Sequence, residues 1–366
     1  MIDARVFRYG VKAAARAAAT LAMIAVTGCL GGPDERQSGA VVPSLSGVYA
    51  DFFPIGTAVQ PRTLSSHNEL IARHFTSLTA ENHMKLHTIR PSSSRVDYSG
   101  ADAVVDFAEA HGMMVRGHAL IWHEAAPDWF FHDSGSRADP ETIRRRLRDH
   151  ITETVTRYRG RVYAWDVVNE GVSDSAGFLR DTIWLDALGP QYIADAFRWA
   201  HAADPDARLF YNDYSAIEPG KRERIVRLVN ELRADGVPIH GVGIQGHWTL
   251  TWPPVSMIRD AIERYADLGL EVEITELDIS FYDWEDRTTR YPALTDTMER
   301  RQAARYAEIF RVFREYSDVI TNVTFWGVAD DVSWLNYIPV QGRPNYPLLF
   351  DRAHREKQAF FAITDF

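Results

Sequence analysis

Cysteine is nearly absent from this sequence, which has one cysteine among 366 residues. A single thiol excludes an internal disulfide and a cysteine-based zinc site. No apolar run reaches the about 20 residues that a bilayer-spanning helix needs. Runs of Lys and Arg interleaved with aromatic residues are also missing, and the formal net charge of −10 argues against a nucleic-acid partner.

The composition that remains is that of a globular protein. Hydrophobic residues make up 46% of the chain, aromatic residues 12% and charged residues 25%, which rules out disorder, collagen and a polytopic membrane protein. Ten Trp residues are present. Indole faces stack on flat apolar ligands such as sugar rings, although most Trp residues fill cores and interfaces.

Residues 1–28 have the pattern of a secretory signal peptide, with a basic flank followed by a short apolar run over residues 17–26. The run ends in Val26-Thr27-Gly28-Cys29, which resembles the lipobox of bacterial lipoproteins, in which the cysteine is acylated. An ordinary signal peptide with a chance cysteine is the alternative. We therefore expect export across the inner membrane and a lipid anchor on Cys29 as the only membrane contact. The predicted location is the periplasm or the cell surface.

Residues 29–48 are rich in Gly, Ser, Pro and Gln and lack apolar periodicity. This composition predicts a flexible linker. We expect one catalytic domain over residues 49–366.

From residue 50 onward, short apolar segments alternate with longer amphipathic ones. Strands are predicted at 54–58, 77–81, 113–121, 162–169, 208–212, 241–245, 270–276 and 319–326. Helices are predicted between them, among others at 143–158, 192–203, 221–234, 255–266 and 298–316. Eight such alternations predict an α/β fold, a single (β/α)8 TIM barrel. A doubly wound open sheet is the alternative, but no Gly-rich phosphate turn follows the first strand.

TIM barrels carry their chemistry at the carboxyl ends of the strands. In this sequence those ends carry polar and aromatic residues, namely Glu81, Asn82, His118, Trp122, Asn169, Glu170, Asn212, Asp213, Gln245, His247, Glu276, Asp278 and Trp326. Each of these side chains can hydrogen-bond with a sugar or stack on one. No Lys/Arg cluster for a phosphate accompanies them.

Two of the strand-end acids form the candidate catalytic pair, Glu170 directly after the predicted strand 162–169 and Glu276 at the end of the predicted strand 270–276. Cleaving a glycosidic bond with retention needs two carboxyl groups about 5–5.5 Å apart, one protonated and one ionised. A strand-end acid also has a simpler interpretation, as a helix cap or a salt-bridge partner. We assign Glu271 and Glu273 to that interpretation, because strand alternation places them on the face opposite Glu276.

One histidine is predicted to support a catalytic carboxylate, and the spacing of the others predicts no metal site. His247 is placed to hold Glu276, with Asp278 orienting its imidazole. His83 and His87 lie four residues apart, but no third ligand follows at matching spacing. We therefore predict that they are structural, and that His67 and His74 lie on exposed helix faces.

The sequence is similar to glycoside hydrolase family 10, the endo-β-1,4-xylanases, from about residue 49 to residue 366. Six motifs carry the resemblance, namely 79–85 (TAENHMK), 116–123 (RGHALIWH), 165–170 (WDVVNE), 243–247 (GIQGH), 274–278 (ITELD) and 324–328 (TFWGV) with Trp334. The resemblance implies a (β/α)8 barrel and a retaining mechanism, with Glu170 as acid/base and Glu276 as nucleophile. It also implies substrate contacts from Glu81, Asn82, Lys85, His118, Trp122, Asn169, Gln245, His247, Trp326 and Trp334.

The sequence departs from the family pattern in a few places, none of them assigned to the −1 subsite. Position 83 is His where Glu is usual, position 215 is Ser where Asn is common, and position 358 is Gln where Pro is frequent. The long loop 280–297 carries Tyr282 and Trp284. Its aromatic residues either form a platform at leaving-group subsites or only pin the loop.

These observations predict a monomeric retaining endo-1,4-β-xylanase that acts on xylan or xylo-oligosaccharides without a metal or cofactor. A retaining β-1,4-glycosidase acting on glucan or short oligosaccharides is the alternative within the enzyme class. A surface carbohydrate-binding lipoprotein that has lost catalysis is the alternative from another class, and the two intact carboxylates argue against it.

Overall fold

The structure, a computed structural model, describes residues 42–133 and 135–366. Residues Pro43–Phe366 form one compact unit. The predicted signal peptide, Cys29 and most of the predicted linker lie outside the described residues. Within the described part of the chain, no helix combines the length and the apolar character needed to cross a bilayer.

Eight parallel strands form the centre of the fold. They are β1 (Ile55–Val59), β2 (Ser77–Ala80), β3 (Met114–Gly117), β4 (Ala164–Asn169), β5 (Arg208–Asp213), β6 (Gly241–Ile244), β7 (Glu271–Ser280) and β8 (Ile320–Phe325). Each strand pairs with the next in chain order, and β8 returns to β1 with Val323 opposite Ile55. The sheet is therefore closed. The predicted TIM barrel is confirmed, and the open-sheet alternative is wrong.

Helices connect the strands and cover the barrel. They are α1 (Leu45–Val48), α2 (Pro61–Ser66), α3 (Asn68–His74), α4 (Leu86–Ile89), α5 (Ser99–Ala110), α6 (Pro140–Arg157), α7 (Ile183–Leu188), α8 (Gln191–Ala203), α9 (Pro219–Ala234), α10 (Val255–Ala266), α11 (Asp296–Glu315) and α12 (Gln358–Thr364). Local sequence explains the start of α6, where the Asp139 side chain accepts from the backbone N–H of Thr142 and Pro140 occupies the first turn. The five helices predicted above are all present, with ends within a few residues.

Short elements extend the strand ends toward the site. Ile121–Trp122 pairs with β4, and His247–Thr249 pairs with β7. The predicted strand 113–121 is thus two strands with a break after Gly117. A Cβ on Gly117 would lie 2.1 Å from the Trp165 ring, so only glycine allows this close approach. Short 3-10 helices lie at His123–Ala125, Asp128–Phe130 and Trp334–Asn336, and a small hairpin pairs His132–Asp133 with Ser136–Arg137.

The interior of the barrel contains a buried ion cluster. The Arg116 guanidinium binds both carboxylate oxygens of Asp166 on β4 and, at 2.6 Å, Oε2 of Glu273 on β7. Because β3 and β7 are not neighbours, the pair of Arg116 and Glu273 crosses the barrel interior. Tyr163 donates to the other oxygen of Glu273 at 2.9 Å.

This cluster corrects the face predicted for Glu273. Strand alternation placed Glu273 opposite Glu276, yet both side chains point into the barrel. The pairing of β7 with β8 shifts register between Ile274 and Leu277, which breaks the strict two-residue alternation. The predicted salt-bridge role does hold, since Glu273 pairs with Arg116 and Glu271 with Arg208.

Two further predictions are corrected by burial. The predicted linker end at residue 48 is too late, because Leu45–Val48 is helical and Leu45 is fully buried. His67 and His74 are buried rather than exposed. The His74 ring lies against Phe350 and Phe360. Both rings lie far along the chain, so the periodicity of α3 does not predict this contact.

Candidate active site

The carboxyl ends of the strands form one polar cleft. It contains the predicted site residues Glu81, Asn82, Lys85, His118, Trp122, Asn169, Glu170, Gln245, His247, Glu276, Asp278, Trp326 and Trp334, most of which hydrogen-bond or stack with one another. The closed barrel brings these residues together from segments separated by more than 200 positions in the chain.

Glu276 on β7 is buried and held at both carboxylate oxygens. The Asn212 amide donates to Oε1 at 2.8 Å, and His247 Nε2 lies 3.1 Å from Oε2. Burial alone would raise the pKa of Glu276, but the positive charges of His118, His247 and Lys85 outweigh burial and lower that pKa to about 2. Glu276 is therefore ionised over the ordinary pH range.

His247 links Glu276 to a second carboxylate. Its Nδ1 lies 3.0 Å from Oδ2 of Asp278, and the same oxygen accepts from Trp334 Nε1 at 2.8 Å. Burial opposes a charge on the ring, yet Asp278 and Glu276 raise the pKa of His247 to about 10. The imidazolium thus donates to a carboxylate on each side and fixes the position of Glu276.

Glu170 follows the last residue of β4 and has a different set of partners. Trp122 Nε1 donates to Oε2 at 2.9 Å, while the amides of Gln245 and Asn169 donate to Oε1 at 2.9 and 3.2 Å. The Glu170 backbone is in the left-handed region, with φ of 58°. Arg180 Nε donates to its carbonyl oxygen at 2.8 Å. A strain of about 1–3 kcal/mol is typical of such residues at functional sites.

A short chain of amides connects the two glutamates. Nδ2 of Asn212 donates to both Oε1 of Glu276 and Oδ1 of Asn169, each at 2.8 Å, and Asn169 in turn donates to Glu170. Thr275 donates to Oδ1 of Asn212 at 2.7 Å and fixes the amide orientation. The sequence analysis named Asn212 among the polar strand-end residues but assigned it no role in the site.

The end of β2 forms a separate polar wall. Lys85 Nζ donates to Asn82 at 3.0 Å and lies 4.6 Å from the centre of the Trp122 ring. Burial lowers the pKa of Lys85, against the attraction of the nearby carboxylates, Glu276 first among them. Gln60, which the sequence analysis missed, donates to Oε2 of Glu81 at 2.7 Å.

His118 is oriented from below by the interior ion cluster. Its Nδ1 lies 2.8 Å from Oδ2 of Asp166, the carboxylate that also binds Arg116. The same nitrogen is 3.9 Å from Oε1 of Glu276. Asp166, also missed by the sequence analysis, therefore connects the barrel interior to the site.

Aromatic rings form a second wall of the site, beside His118 and His247. Trp326 meets the His118 ring edge-on at 5.2 Å between centroids, and Trp334 lies 5.0 Å from the His247 ring. Trp284 is 6.0 Å from Trp334, with the two rings tilted by 35°, and 53% of Trp284 is exposed. The wall therefore extends outward beyond Trp334.

Two roles were considered for the aromatic residues of the loop 280–297, a platform for sugar binding and attachment of the loop to the barrel. The structure places Tyr282 and Trp284 in different surroundings. Tyr282 is buried with Phe281, Met298 and Tyr346, so it pins the loop to the barrel. Trp284 lies outside that cluster, beside Trp334.

That His83 and His87 are structural and bind no metal remains a prediction. Over residues 42–133 and 135–366, the only group of three potential ligands is elsewhere.

Comparisons with known proteins agree on one family. The model of glycosyl hydrolase family 10 matches residues 44–366. A β-1,4-xylanase of Dictyoglomus thermophilum is 48% identical over 347 residues, covering 94% of this chain and 97% of the relative. An endo-1,4-β-xylanase of Geobacillus stearothermophilus is 48% identical over 328 residues, covering 88% and 98%.

Solved structures show the same similarity. A xylanase of Paenibacillus barcinonensis, crystallised with a conduramine derivative, superposes with a TM-score of 0.87 at 47% identity, covering 89% of this chain and 99% of that one. An endo-1,4-β-xylanase of Caldicellulosiruptor owensensis gives a TM-score of 0.85 at 43% identity, covering 89% and 100%.

Proposed function

We propose that this chain, which belongs to glycosyl hydrolase family 10, is a retaining endo-1,4-β-xylanase that hydrolyses internal bonds of xylan. The observation that carries the proposal is that two buried glutamates with different hydrogen-bond partners meet in one site. Glu276 is held ionised by His118, His247 and Lys85. Glu170 is held by neutral donors, an indole and two amides. One carboxylate for attack and one carboxyl for proton transfer are what retaining hydrolysis requires.

The reaction proceeds by double displacement. Glu276 attacks the anomeric carbon while Glu170 gives its proton to the departing glycosidic oxygen, so that a covalent xylosyl-enzyme forms and the leaving sugar departs neutral. Glu170, now ionised, takes a proton from water. The resulting hydroxide oxygen bonds to the anomeric carbon, the bond to Glu276 breaks, and the sugar is released with its original configuration.

Support for xylan as the substrate comes from the relatives, which are named as xylanases. In this chain Glu81, Asn82 and Lys85 form the polar wall beside Trp122 that would bind the non-reducing side of the chain. Rejection of glucan depends on the space left for a hydroxymethyl group. Glucan is therefore the alternative substrate that the experiment must include.

A proton NMR time course on xylohexaose, with cellohexaose in a parallel sample, tests the proposal. We expect early appearance of β-anomers in internal fragments of xylohexaose alone. Cleavage mainly of cellohexaose would move the substrate to glucans, and initial α-anomers would contradict the retaining mechanism. Oligosaccharide affinity with no new reducing ends would favour the carbohydrate-binding alternative.

Two variants test the residue roles. Glu276→Ala should abolish turnover while leaving the thermal unfolding curve cooperative, whereas substantial residual activity would refute the nucleophile assignment. Glu170→Ala should lose activity on xylohexaose but retain its first step on aryl xylobiosides with strongly acidic phenols, because such leaving groups need no proton.

We also propose that the chain is exported and acylated at Cys29. The support is the basic flank, the short apolar run and the position of the cysteine in the sequence. Labelling with radioactive palmitate in a bacterial host should mark the wild type and not Cys29→Ser. Unlabelled wild type recovered from the soluble fraction would favour an ordinary signal peptide.

A further inference from the structure

A second cluster of titratable side chains lies apart from the catalytic residues, and it joins three distant parts of the chain. His67 connects α2 to α3, Asp331 follows β8, and His354 precedes α12. Oδ1 of Asp331 is 3.1 Å from His67 Nε2, and Oδ2 is 3.5 Å from His354 Nε2. We propose that these residues form a site for a divalent transition-metal ion, with Zn²⁺ as the best match.

The donor set and its spacing fit such an ion. Two imidazole nitrogens and one carboxylate are common zinc ligands, and an open fourth position accommodates water. With metal–ligand bonds of 2.0–2.2 Å, two ligand atoms on a tetrahedral ion lie about 3.3 Å apart. The two histidines approach different oxygens of Asp331, at 3.1 and 3.5 Å. One ligand atom from each of the three residues lies within 4.8 Å of the others. Small side-chain rotations complete the site.

Hydrogen bonding behind His67 points its lone pair at the site. The Ser66 hydroxyl donates to the carbonyl oxygen of Arg62 at 3.1 Å, and its oxygen is 2.7 Å from Nδ1 of His67. When the single hydrogen of the hydroxyl lies on the bond to Arg62, Nδ1 is the donor to Ser66 and Nε2 carries the lone pair. That lone pair faces the carboxylate of Asp331, an arrangement that a cation between them stabilises. A partner on the distal ring nitrogen is typical of metal-bound histidines.

The surroundings give an ion access and hold the ligands. The Asp331 and His354 side chains are each about one-third exposed, and a cavity of about 500 Å³ lies alongside, lined in part by His67, His354 and Glu356. His354 adopts φ of 64°, a left-handed conformation that is rare outside glycine and Asn and that is often found at functional sites.

A metal at this position would connect the start of the barrel to its last loop. His67 and Asp331 are 264 residues apart in sequence, and the three ligands come together only in the folded chain. Binding of the ion is therefore linked to folding, and it should raise the melting temperature of the protein.

The experiment uses the untagged full-length chain, treated with EDTA and dialysed. Zn²⁺ in about 100-fold excess over its Kd should raise the melting temperature by about 4 °C. Co²⁺ should give a visible d–d absorption that saturates at one equivalent and that Zn²⁺ removes. Both signals should disappear in Asp331→Asn and in His354→Asn, the second chosen because Asn tolerates the left-handed backbone.

The matched control is His87→Asn, which removes an exposed histidine from α4 and should keep both signals. Loss of the signals in this control, or their persistence in both ligand variants, would place metal binding elsewhere and overturn the proposal. Absence of any Co²⁺ absorption in the wild type would also overturn it, and would assign the cluster to His–Asp hydrogen bonds alone. Xylanase activity is not a readout, so the test is independent of the proposed function.

Discussion

Trp122 donates its indole N–H to Oε2 of Glu170 at 2.9 Å, so a residue expected to contact the sugar also positions a carboxyl group. The other oxygen of Glu170 is held by Gln245 and Asn169. Trp122 is the donor that fixes the rotation of the carboxyl plane. The same side chain carries Lys85 over its ring, so it joins the acid/base residue to the sugar-binding wall.

Removing this indole N–H should impair proton donation selectively. We expect Trp122→Phe to lower kcat on xylohexaose about 10- to 100-fold, the range for one hydrogen bond to the negative charge that develops on Glu170 as its proton leaves. The loss should be much smaller on aryl xylobiosides with strongly acidic leaving groups. Trp334→Phe, which loses an N–H to Asp278 instead, is the matched control and should affect both substrates alike. Equal losses in Trp122→Phe would contradict the positioning role.

The charge on His247 should set the acid limb of the pH profile. Glu276 must be ionised to attack, and its pKa of about 2 places the fall of kcat/KM at very low pH. His247→Asn removes one of the positive charges that lower the pKa of Glu276, while burial still raises that pKa. The pKa of Glu276 should therefore rise, and the acid limb should move to higher pH. Profiles of kcat/KM against pH measure this shift. His87→Asn should leave the limb in place, and an unmoved limb in His247→Asn would refute the electrostatic assignment.

The buried ion cluster should matter more for stability than a partly exposed pair of the same type. Arg116→Met removes the guanidinium that pairs with both Asp166 and Glu273 inside the barrel, at a cost of about 3–5 kcal/mol. Arg208→Met breaks the ion pair with Glu271, in which the Arg208 side chain is 42% exposed and the Glu271 side chain 31% exposed. This substitution should cost about 0–1 kcal/mol. Urea unfolding measures both. Similar costs would mean that burial does not decide the strength of these pairs.

Trp284 should bind sugar units remote from the cleaved bond. It is half-exposed beside Trp334 and outside the cluster that pins the loop. Trp284→Ala should therefore raise KM for xylohexaose several-fold and leave xylotriose unchanged. The control is Trp252→Ala, another exposed Trp at the start of the segment before α10. Equal losses on long and short substrates would contradict the subsite role.

Strand ends were the most predictable part of the site. Each strand of a barrel presents its carboxyl end on the same face, so a polar residue after a run of apolar ones can be assigned to the site from sequence alone. Glu170, Gln245 and His247 were placed in this way, and the barrel itself followed from the eightfold alternation.

Features that depend on long-range contacts were not predictable. The face of Glu273 depends on a register shift between β7 and β8, which no local pattern reveals. His67 is buried by contacts with Asp331 and His354, which lie far along the chain. Asn212 differs, because its position was visible in the sequence while its two acceptors were not.

Pairing of β1 with β8 has a consequence for how the chain acquires its structure. A barrel whose first and last strands are neighbours has no complete sheet until residue 325 is available. A nascent or truncated chain ending before β8 would expose the edges of β1 and β7, two parallel strands with unpaired backbone groups. Self-association during synthesis is thus a hazard intrinsic to this topology, and closure of the ring removes it in a single late event.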